Sequence, residues 1–276
     1  MSESAETLMQ AAAEVARLAG DVAAGYFGAR LAVDLKADGS PVTVADRTAE
    51  ERARAWIESR FPADGILGEE FGIVRPDARR RWVLDPIDGT KSFVRGVPLW
   101  GTLVAVCAGE TVLAGAVYLP VGSPLLVAAA PGCGAWANGS RCRVSAVEVV
   151  AGATVLTTDE RFKEEPARRA GWERLSQAAS VSRSWGDCFG YVLVATGRAE
   201  AMVDPVLSPW DAAAVMPIVT EAGGVFTSWD GRPTAFGGSA VATNAALAAE
   251  ARGLLGAAPG AGIGAGGRRN SGGGGA

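Results

Sequence analysis

The sequence contains no histidine. This absence excludes Ser-His-Asp and Cys-His catalysis and every zinc site with imidazole ligands, because each of these needs at least one histidine. The cysteines are few and far apart, without a C-x-x-C pair, so neither a zinc knuckle nor a redox pair is indicated. They are Cys107, Cys133, Cys142 and Cys188, and we expect all of them to be reduced. Catalysis by this chain must therefore use carboxylates, hydroxyls and an oxygen-bound metal ion.

The chain also lacks long apolar runs and an excess of positive charge. No apolar run approaches the roughly 20 residues that a membrane span needs, and residues 1–7 show no basic and apolar signal pattern. The net charge of −4 gives no general attraction to nucleic acid or to anionic membranes. We therefore expect a cytoplasmic protein whose partner is a small molecule, with neither a nucleic-acid nor a membrane partner.

A chain of 276 residues with 49% hydrophobic content can fill one large core or two closely packed ones. The hydrophobic periodicity predicts helices and an antiparallel sheet over residues 1–146, followed by an α/β half over 147–256. Residues 257–276 are mostly Gly, Ala and Ser, and we predict that they are disordered. Residues 262–267 match G-x-G-x-x-G, but without a preceding strand this match carries no nucleotide-binding prediction.

Residues 82–94 are the most informative stretch, in which a predicted buried strand stops at two carboxylates and turns into a short helix. Pro86 is one of the two residues between Asp85 and Asp88. Its ring fixes one backbone angle and removes an N–H donor. The two carboxylates and the Ile87 carbonyl can then face one small space. Oxygen ligands of this kind suit a hard divalent ion such as Mg²⁺. A plain turn with capping carboxylates is the alternative, because Asp-Pro and Asp-Gly are common turn pairs.

Gly89 and Thr90 follow these carboxylates and open the predicted short helix. The free N–H groups and the dipole at a helix start suit an anion. The same turn therefore offers a metal site on one side and a phosphate site on the other. Lys91, next in the chain, either adds positive charge to the phosphate site or is a solvated helix residue.

Other acidic residues stand at the ends of predicted buried elements. Asp46 and Asp211 each stand at the start of a predicted helix, and helix capping is the simpler explanation for either residue taken alone. Glu69 and Glu70 directly follow a short strand predicted at 66–67. Paired glutamates usually form a solvated surface, but their position at a buried strand end also favours a site.

Together these residues resemble the inositol monophosphatase family of Mg²⁺-dependent phosphatases. The resemblance covers about residues 8–254 and rests on Asp-Pro-Ile-Asp-Gly-Thr at 85–90, Thr-Val-Ala-Asp at 43–46, Trp-Asp-Ala-Ala at 210–213 and Glu-Ala-Gly-Gly at 221–224. It implies a mixed α+β or α/β fold, a layered αβαβα sandwich of the inositol monophosphatase and fructose-1,6-bisphosphatase type. It also implies a homodimer.

The resemblance further implies a role for each site residue. Two or three Mg²⁺ ions would be held by Glu69, Asp85, the Ile87 carbonyl, Asp88 and Asp211. Asp46 and Thr90, hydrogen-bonded to each other, would activate the attacking water together with Glu69. The N–H groups of Gly89 and Thr90 would bind the phosphate, and the reaction would be an in-line displacement at phosphorus without a phosphoenzyme.

By the same resemblance, Asp187 and Asp204 would contact the leaving alcohol, and Asp211 would contribute to substrate binding. The residues at 91–98 and the Gly-Asp pair at 186–187 are similar to the histidinol-phosphatase branch. An added carboxylate at Asp187 suits the cationic L-histidinol better than a polyol. We therefore predict a histidinol-phosphatase of histidine biosynthesis, with an inositol-1-monophosphatase or another small-molecule phosphatase of the family as the alternative.

Two other functions fit parts of the pattern. A haloacid-dehalogenase-type phosphatase would use an aspartyl nucleophile in a D-x-D motif, whereas Asp85 and Asp88 are three positions apart. A non-catalytic regulator that binds metal or phosphate on the same fold would usually have lost at least one ligand. No expected ligand is missing from this sequence.

Overall fold

The computed structural model describes residues 3–37, 39–163 and 165–260. The helices are α1 (Ala5–Ala24), α2 (Val44–Arg60), α3 (Thr90–Phe93), α4 (Pro166–Ala178), α5 (Asp187–Ala195), α6 (Pro209–Ala212), α7 (Val215–Glu221) and α8 (Ala248–Leu255). The first ten strands are β1 (Asp34–Leu35), β2 (Pro41–Val42), β3 (Gly65–Gly68), β4 (Gly72–Val74), β5 (Arg81–Asp88), β6 (Gly101–Ala108), β7 (Thr111–Leu119), β8 (Leu125–Ala130), β9 (Gly134–Ala137) and β10 (Ser140–Arg141). They are followed by β11 (Thr154–Leu156), β12 (Val181–Arg183), β13 (Ala201–Asp204), β14 (Gly224–Thr227) and β15 (Ala240–Asn244). Within these ranges, none of the helices has the length and apolar character that crossing a bilayer requires.

The larger sheet has the strand order β10-β9-β8-β7-β6-β5-β3-β4. Adjacent strands in this sheet pair antiparallel, except for β3 and β5, which pair parallel. The chain therefore meanders through β6 to β10 in hairpins, as the alternating pattern predicts, while α3 lies in the connection from β5 to β6. Asn138 and Gly139 form the last of these turns with positive φ angles of 46° and 81°, which is the backbone of a tight hairpin.

The smaller sheet has the order β12-β11-β13-β15-β14. Its first three strands are parallel, β15 pairs antiparallel with β13, and the edge strand β14 pairs antiparallel with β15. In β11 and β13 every residue except the first of β11 is buried, as expected for strands covered on both faces.

Helices cover both sheets, and five layers result. α1 and α2 pack on the outer face of the larger sheet, α5, α6 and α7 lie between the two sheets, and α4 and α8 cover the smaller sheet. One cluster of buried apolar side chains lies between α1, α2 and the larger sheet, a second surrounds the middle helices between the two sheets, and a third lies between the smaller sheet and the helices α4 and α8. This is the αβαβα sandwich that the resemblance implies. The middle layer brings helix starts from the second half against strand ends from the first.

Several elements differ from the sequence prediction. The short edge strand β4 and the strand β14 were not predicted, because neither has a clear alternation of buried and exposed residues. The helix predicted from Asp211 onward is divided into α6 and α7. Ala258 N donates to the Trp229 carbonyl at 3.3 Å, and Arg252 Nε donates to the Ala258 carbonyl at 2.6 Å. Ordered chain thus extends into the segment predicted to be disordered, and residues 261–276, with the G-x-G-x-x-G match, lie outside the described residues.

Candidate active site

The strand β5 ends inside the molecule in a β-bulge. Its pairing with β6 is regular up to Asp85 and resumes at Asp88 after a register shift. The bulge falls at Pro86, which has no N–H to give to the ladder. Ile87 N donates instead to Asp85 Oδ1 at 3.0 Å, and the Pro86 carbonyl accepts from Thr102 Oγ1 at 2.7 Å. The bulge thereby turns two buried carboxylates toward the space between the sheets.

Asp211 brings a third carboxylate from the middle layer. One carboxylate oxygen each from Asp85, Asp88 and Asp211 lie within 4.8 Å of one another. Asp211 is the third residue of α6 and not its N-cap, which is Ser208; Asp211 Oδ2 accepts the Ser208 N–H at 2.8 Å. Three clustered carboxylates form a donor set that fits a hard divalent cation.

The electrostatics of this cluster also favour a cation. Burial first, and then the charge of Glu69, raise the pKa of Asp85 well above its usual range. Burial, followed by the charge of Asp187, does the same to the pKa of Asp88. Burial raises the pKa of Asp211 to about 7, and neighbouring carboxylates add to this effect. A divalent ion would relieve this repulsion, so the residues present fit a metal.

Glu69 begins the loop after β3, and its N–H donates to the Leu84 carbonyl of β5 at 3.2 Å. Lys36 Nζ lies 2.7 Å from Glu69 Oε1 and 2.7 Å from Glu70 Oε1. Burial lowers the pKa of Lys36, but these two hydrogen bonds outweigh burial and raise it overall. Burial raises the pKa of Glu70 to about 7, against the effect of Lys36. Lys36 was not singled out in the sequence, because nothing near it in the chain marks a contact with residues 33 and 34 positions later.

Asp46 lies in the first turn of α2, where Thr43 and not Asp46 is the N-cap. Asp46 Oδ2 accepts from Thr43 N at 2.8 Å and from Thr43 Oγ1 at 2.6 Å. Thr90 Oγ1 lies 3.3 Å from Asp46 Oδ1 and 2.9 Å from the Ile87 carbonyl. Burial raises the pKa of Asp46, although its bonds with Thr43 oppose the rise. One oxygen of the Asp46 carboxylate therefore bonds Thr43 at the helix start, and the other faces the Thr90 hydroxyl.

Gly89 forms the turn between β5 and α3 with φ 90° and ψ 34°. A Cβ atom at this position would lie 2.8 Å from the Leu99 carbonyl oxygen and 3.1 Å from Asp187 Oδ2. Only glycine fits both this backbone and this space. The same distances place Asp187 directly beside the start of α3.

Asp187 opens α5 on the opposite wall of the site, with a positive φ of 52°. Its N–H donates to Thr158 Oγ1 at 2.9 Å, and the next N–H, that of Cys188, donates to Asp88 Oδ2 at 2.5 Å. Burial and then the charge of Asp204 raise the pKa of Asp187 to about 7, while Lys91 lowers it. The start of α5 is thus tied to the acidic cluster on β5.

Asp204 ends β13 and is almost wholly buried. Its Oδ1 accepts from Thr158 N at 3.1 Å, and its Oδ2 accepts from the Tyr191 hydroxyl at 2.8 Å. Both carboxylate oxygens are therefore already bonded within the protein. Sequence reasoning did not identify Tyr191, although its position one helical turn after Asp187 places the two on one face of α5.

All of the predicted site residues except Asp46 line one cleft with a volume of about 350 Å³; these are Glu69, Asp85, Ile87, Asp88, Gly89, Thr90, Asp187, Asp204 and Asp211. Asp46 lies behind Thr90. A group of acids that could hold a metal ion therefore shares its cleft with a helix start, and this combination is suited to phosphate chemistry.

Comparison with solved structures first defines the class of protein. An inositol monophosphatase from Zymomonas mobilis has the same fold, with a TM-score of 0.82, 33% sequence identity, and coverage of 92% of this chain and 99% of that one. The layered fold and its acidic cleft are therefore those of a phosphoric monoester hydrolase.

The chain belongs to the inositol monophosphatase family, whose model matches residues 4–258. A histidinol-phosphatase from Chlorobaculum parvum is 44% identical over 231 residues, which cover 83% of this chain and 89% of that protein. A histidinol-phosphatase from Mycobacterium tuberculosis is 40% identical over 227 residues, covering 80% of this chain and 87% of that protein. These matches confirm the predicted family, the predicted fold and the prediction that the chain is a phosphatase.

Proposed function

We propose that this enzyme is a Mg²⁺-dependent histidinol-phosphatase, which hydrolyses L-histidinol phosphate to L-histidinol and phosphate. The observation that carries the proposal is the position of Asp187, a carboxylate 3.1 Å from where a Cβ on Gly89 would stand. A substrate whose phosphate lies at the start of α3 would present its alcohol portion to this carboxylate. The curated relatives named above are histidinol-phosphatases, which supports the same substrate.

The metal ligands in this proposal are Glu69, Asp85, the Ile87 carbonyl, Asp88 and Asp211, and two or three Mg²⁺ ions would be held by them. The clustered oxygens of Asp85, Asp88 and Asp211 support this assignment. When bound, Mg²⁺ supplies Lewis acidity, which lowers the pKa of a coordinated water and neutralises phosphate oxygens.

The residues of the chain itself then handle the proton and the phosphate. The Thr90 hydroxyl has one proton and two acceptors within reach, the Ile87 carbonyl and Asp46 Oδ1; when it donates to Asp46, its lone pairs can accept a proton from a water in the cleft. Asp46 is a suitable receiver for the Thr90 proton, because burial raises its pKa and makes the carboxylate a stronger base. Gly89 and Thr90 N–H groups would hold the phosphate oxygens while water attacks phosphorus in line.

The leaving alcohol would be recognised by charge. L-Histidinol carries an amine and an imidazole, and Asp187 offers a carboxylate to such a cation. The buried Asp204, which lines the same cleft, adds negative charge near Asp187. Binding a cation would favour the ionised form of Asp187, whose pKa of about 7 already allows partial ionisation at neutral pH. A neutral polyol would leave this carboxylate without a charged partner.

Phosphate release from L-histidinol phosphate and from inositol 1-phosphate, measured side by side with Mg²⁺ and with excess chelator, tests the proposal. We expect faster, chelator-sensitive release from L-histidinol phosphate. Preference for inositol 1-phosphate would instead assign the enzyme to the inositol branch, and no turnover of either ester would favour a metal- or phosphate-binding regulator. An acid-stable phosphoenzyme would contradict direct attack by water. The proposal includes a homodimer in the cytoplasm, and light scattering tests the oligomeric state.

A further inference from the structure

Glu50 is a buried acid that lies beside the site without lining the cleft. It is fully buried, with 0% of its surface exposed. It stands four residues after Asp46 on α2, so both side chains project from one face of the helix. Asp46 reaches Thr90 at the start of α3, whereas Glu50 reaches the loop between β3 and β4.

The carboxylate of Glu50 binds the loop that carries Glu69. Its Oε2 accepts from Glu70 N at 2.8 Å, and its Oε1 accepts from Phe71 N at 3.3 Å. These two N–H groups belong to the three-residue loop between β3 and β4, which begins with Glu69. Hydrogen bonds from N–H groups to a buried carboxylate are stronger than bonds between neutral groups.

The residues around Glu50 are arranged to keep it there. Arg54 Nε lies 2.7 Å from Glu50 Oε1, and Arg54 Nη2 donates to the Gly72 carbonyl at 2.6 Å, at the far end of the loop. A Cβ at Gly68 would lie 1.9 Å from Glu50 Oε1, so only glycine leaves room for the carboxylate. The helix α2 thus holds the loop at three successive residues.

We propose that Glu50 is a positioning residue for the metal site, acting through Glu69. The Glu69 backbone is bonded on one side to Leu84 of β5, and Glu50 fixes the two residues that follow. The backbone is thus held before and after Glu69, whose side chain bonds Lys36 and lines the same cleft as Asp85. Outer groups that orient a ligand in this way strongly affect metal affinity. The inference rests on the proposed role of Glu69 as a metal ligand.

Titration calorimetry of the metal-free protein with Mg²⁺ alone tests this role. We expect Glu50→Gln to weaken Mg²⁺ binding about tenfold, because the amide group cannot accept both N–H groups. Saturating Mg²⁺ should restore most of kcat. Glu200→Gln is the matched control, since Glu200 is also buried and accepts a backbone N–H, that of Thr154, at 2.6 Å, in the second half of the chain. This control should leave the Mg²⁺ affinity unchanged.

Unchanged Mg²⁺ affinity in folded Glu50→Gln would overturn the inference, even with a lower Tm, because it would show a role in stability alone. If Glu50→Gln does not fold, Arg54→Gln tests the inference instead, because Arg54 lies at the rim of the contact between Glu50 and the β3–β4 loop. It should weaken Mg²⁺ binding about twofold to threefold, and wild-type affinity would overturn the inference. Absence of Mg²⁺ binding to the wild-type protein would contradict the proposed function itself, together with this inference.

Discussion

Thr90 Oγ1 lies 3.3 Å from Asp46 Oδ1, although the two residues are 44 positions apart in the chain. The contact joins the first turn of α2 to the start of α3. Because the Asp46 carboxylate is buried and its second oxygen is bonded to Thr43, Thr90 is the group that connects it with the cleft. In the proposed mechanism this pair provides the path for one proton.

Thr90→Val should abolish this path with little change in volume. We expect kcat to fall at least about 100-fold, which is the usual contribution of a positioned proton acceptor, while the Mg²⁺ affinity stays near that of the wild type. Steady-state kinetics at saturating Mg²⁺, with calorimetry on the same preparation, measures both. Thr243→Val is the control, because Thr243 Oγ1 is buried in β15, outside the cleft lining, and has no hydrogen-bond partner among the described residues. A Thr90→Val enzyme with wild-type kcat would remove Thr90 from the mechanism.

Asp211→Asn should have opposite effects on metal binding and on metal-free stability. The amide keeps an acceptor for the Ser208 N–H but removes a charge that is buried among other acids. We therefore expect a higher Tm for the metal-free variant than for the wild type. We also expect the loss of the Tm increase that Mg²⁺ gives the wild type.

Thermal unfolding with chelator and with Mg²⁺ measures both effects of Asp211→Asn. Asp230→Asn is the control, since Asp230 pairs with Arg232 on the surface. An Mg²⁺-induced Tm increase equal to that of the wild type would show that Asp211 does not hold the metal.

The metal-free enzyme should lose stability as the pH rises through about 7. Asp187 and Asp211 have a pKa of about 7 in the fold, against 3.8 for an unperturbed aspartate. Between these two values the native state binds more protons than the unfolded state, so the stability is fully present at low pH and is lost as the carboxylates ionise. We expect the Tm in chelator to fall from about pH 4 to about pH 7 and to level off above that, by about 2–4 °C for each kcal/mol lost.

Mg²⁺ should flatten this pH profile, because a cation stabilises the ionised carboxylates and its binding displaces their protons. Asp211→Asn in chelator should show a shallower slope than the wild type. Scanning calorimetry in buffers of equal ionic strength provides the measurement. A metal-free Tm that rises across the same range would mean that these carboxylates are not protonated in the fold.

The strand β5 and its two carboxylates could be predicted from sequence because the apolar run, Pro86 and the following Gly89 are all local signals. Asp46 and Asp211 were harder, since capping and site formation were treated as alternatives. In the structure one carboxylate does both: Asp46 Oδ2 accepts from Thr43, and Asp46 Oδ1 faces Thr90. A sequence pattern can place Asp46 at a helix start, but it cannot show that the two oxygens of its carboxylate have separate partners.

Lys36, Glu50 and Tyr191 could not be found by pattern, because their contacts depend on how distant segments meet. In the sequence Glu50 is an ordinary polar residue of a helix, and only the fold shows that it contacts the β3–β4 loop. Asp204 was predicted to contact the substrate, and it lines the cleft, but its two oxygens also bond Thr158 and Tyr191, which no local pattern indicates. Its effect on substrate choice is therefore expected to act through the charge that it adds behind Asp187.

Asp187→Asn should change substrate choice more than catalysis. Asparagine tolerates the positive φ of 52° at this position, whereas alanine would strain the start of α5. Loss of the charge should lower kcat/KM for L-histidinol phosphate about 10- to 100-fold, because the cationic alcohol loses its partner. Inositol 1-phosphate should be affected by less than about threefold.

The ratio of the two kcat/KM values for Asp187→Asn, at saturating Mg²⁺, separates recognition from general damage. Asp77→Asn serves as the control, because Asp77 is exposed and remote from the cleft lining. An equal loss on both substrates would mean that Asp187 supports the shape of the site through its neighbours at Asp88 and Gly89. A loss of kcat/KM for L-histidinol phosphate alone would mean that the carboxylate at the start of α5 binds the positive charge of the alcohol.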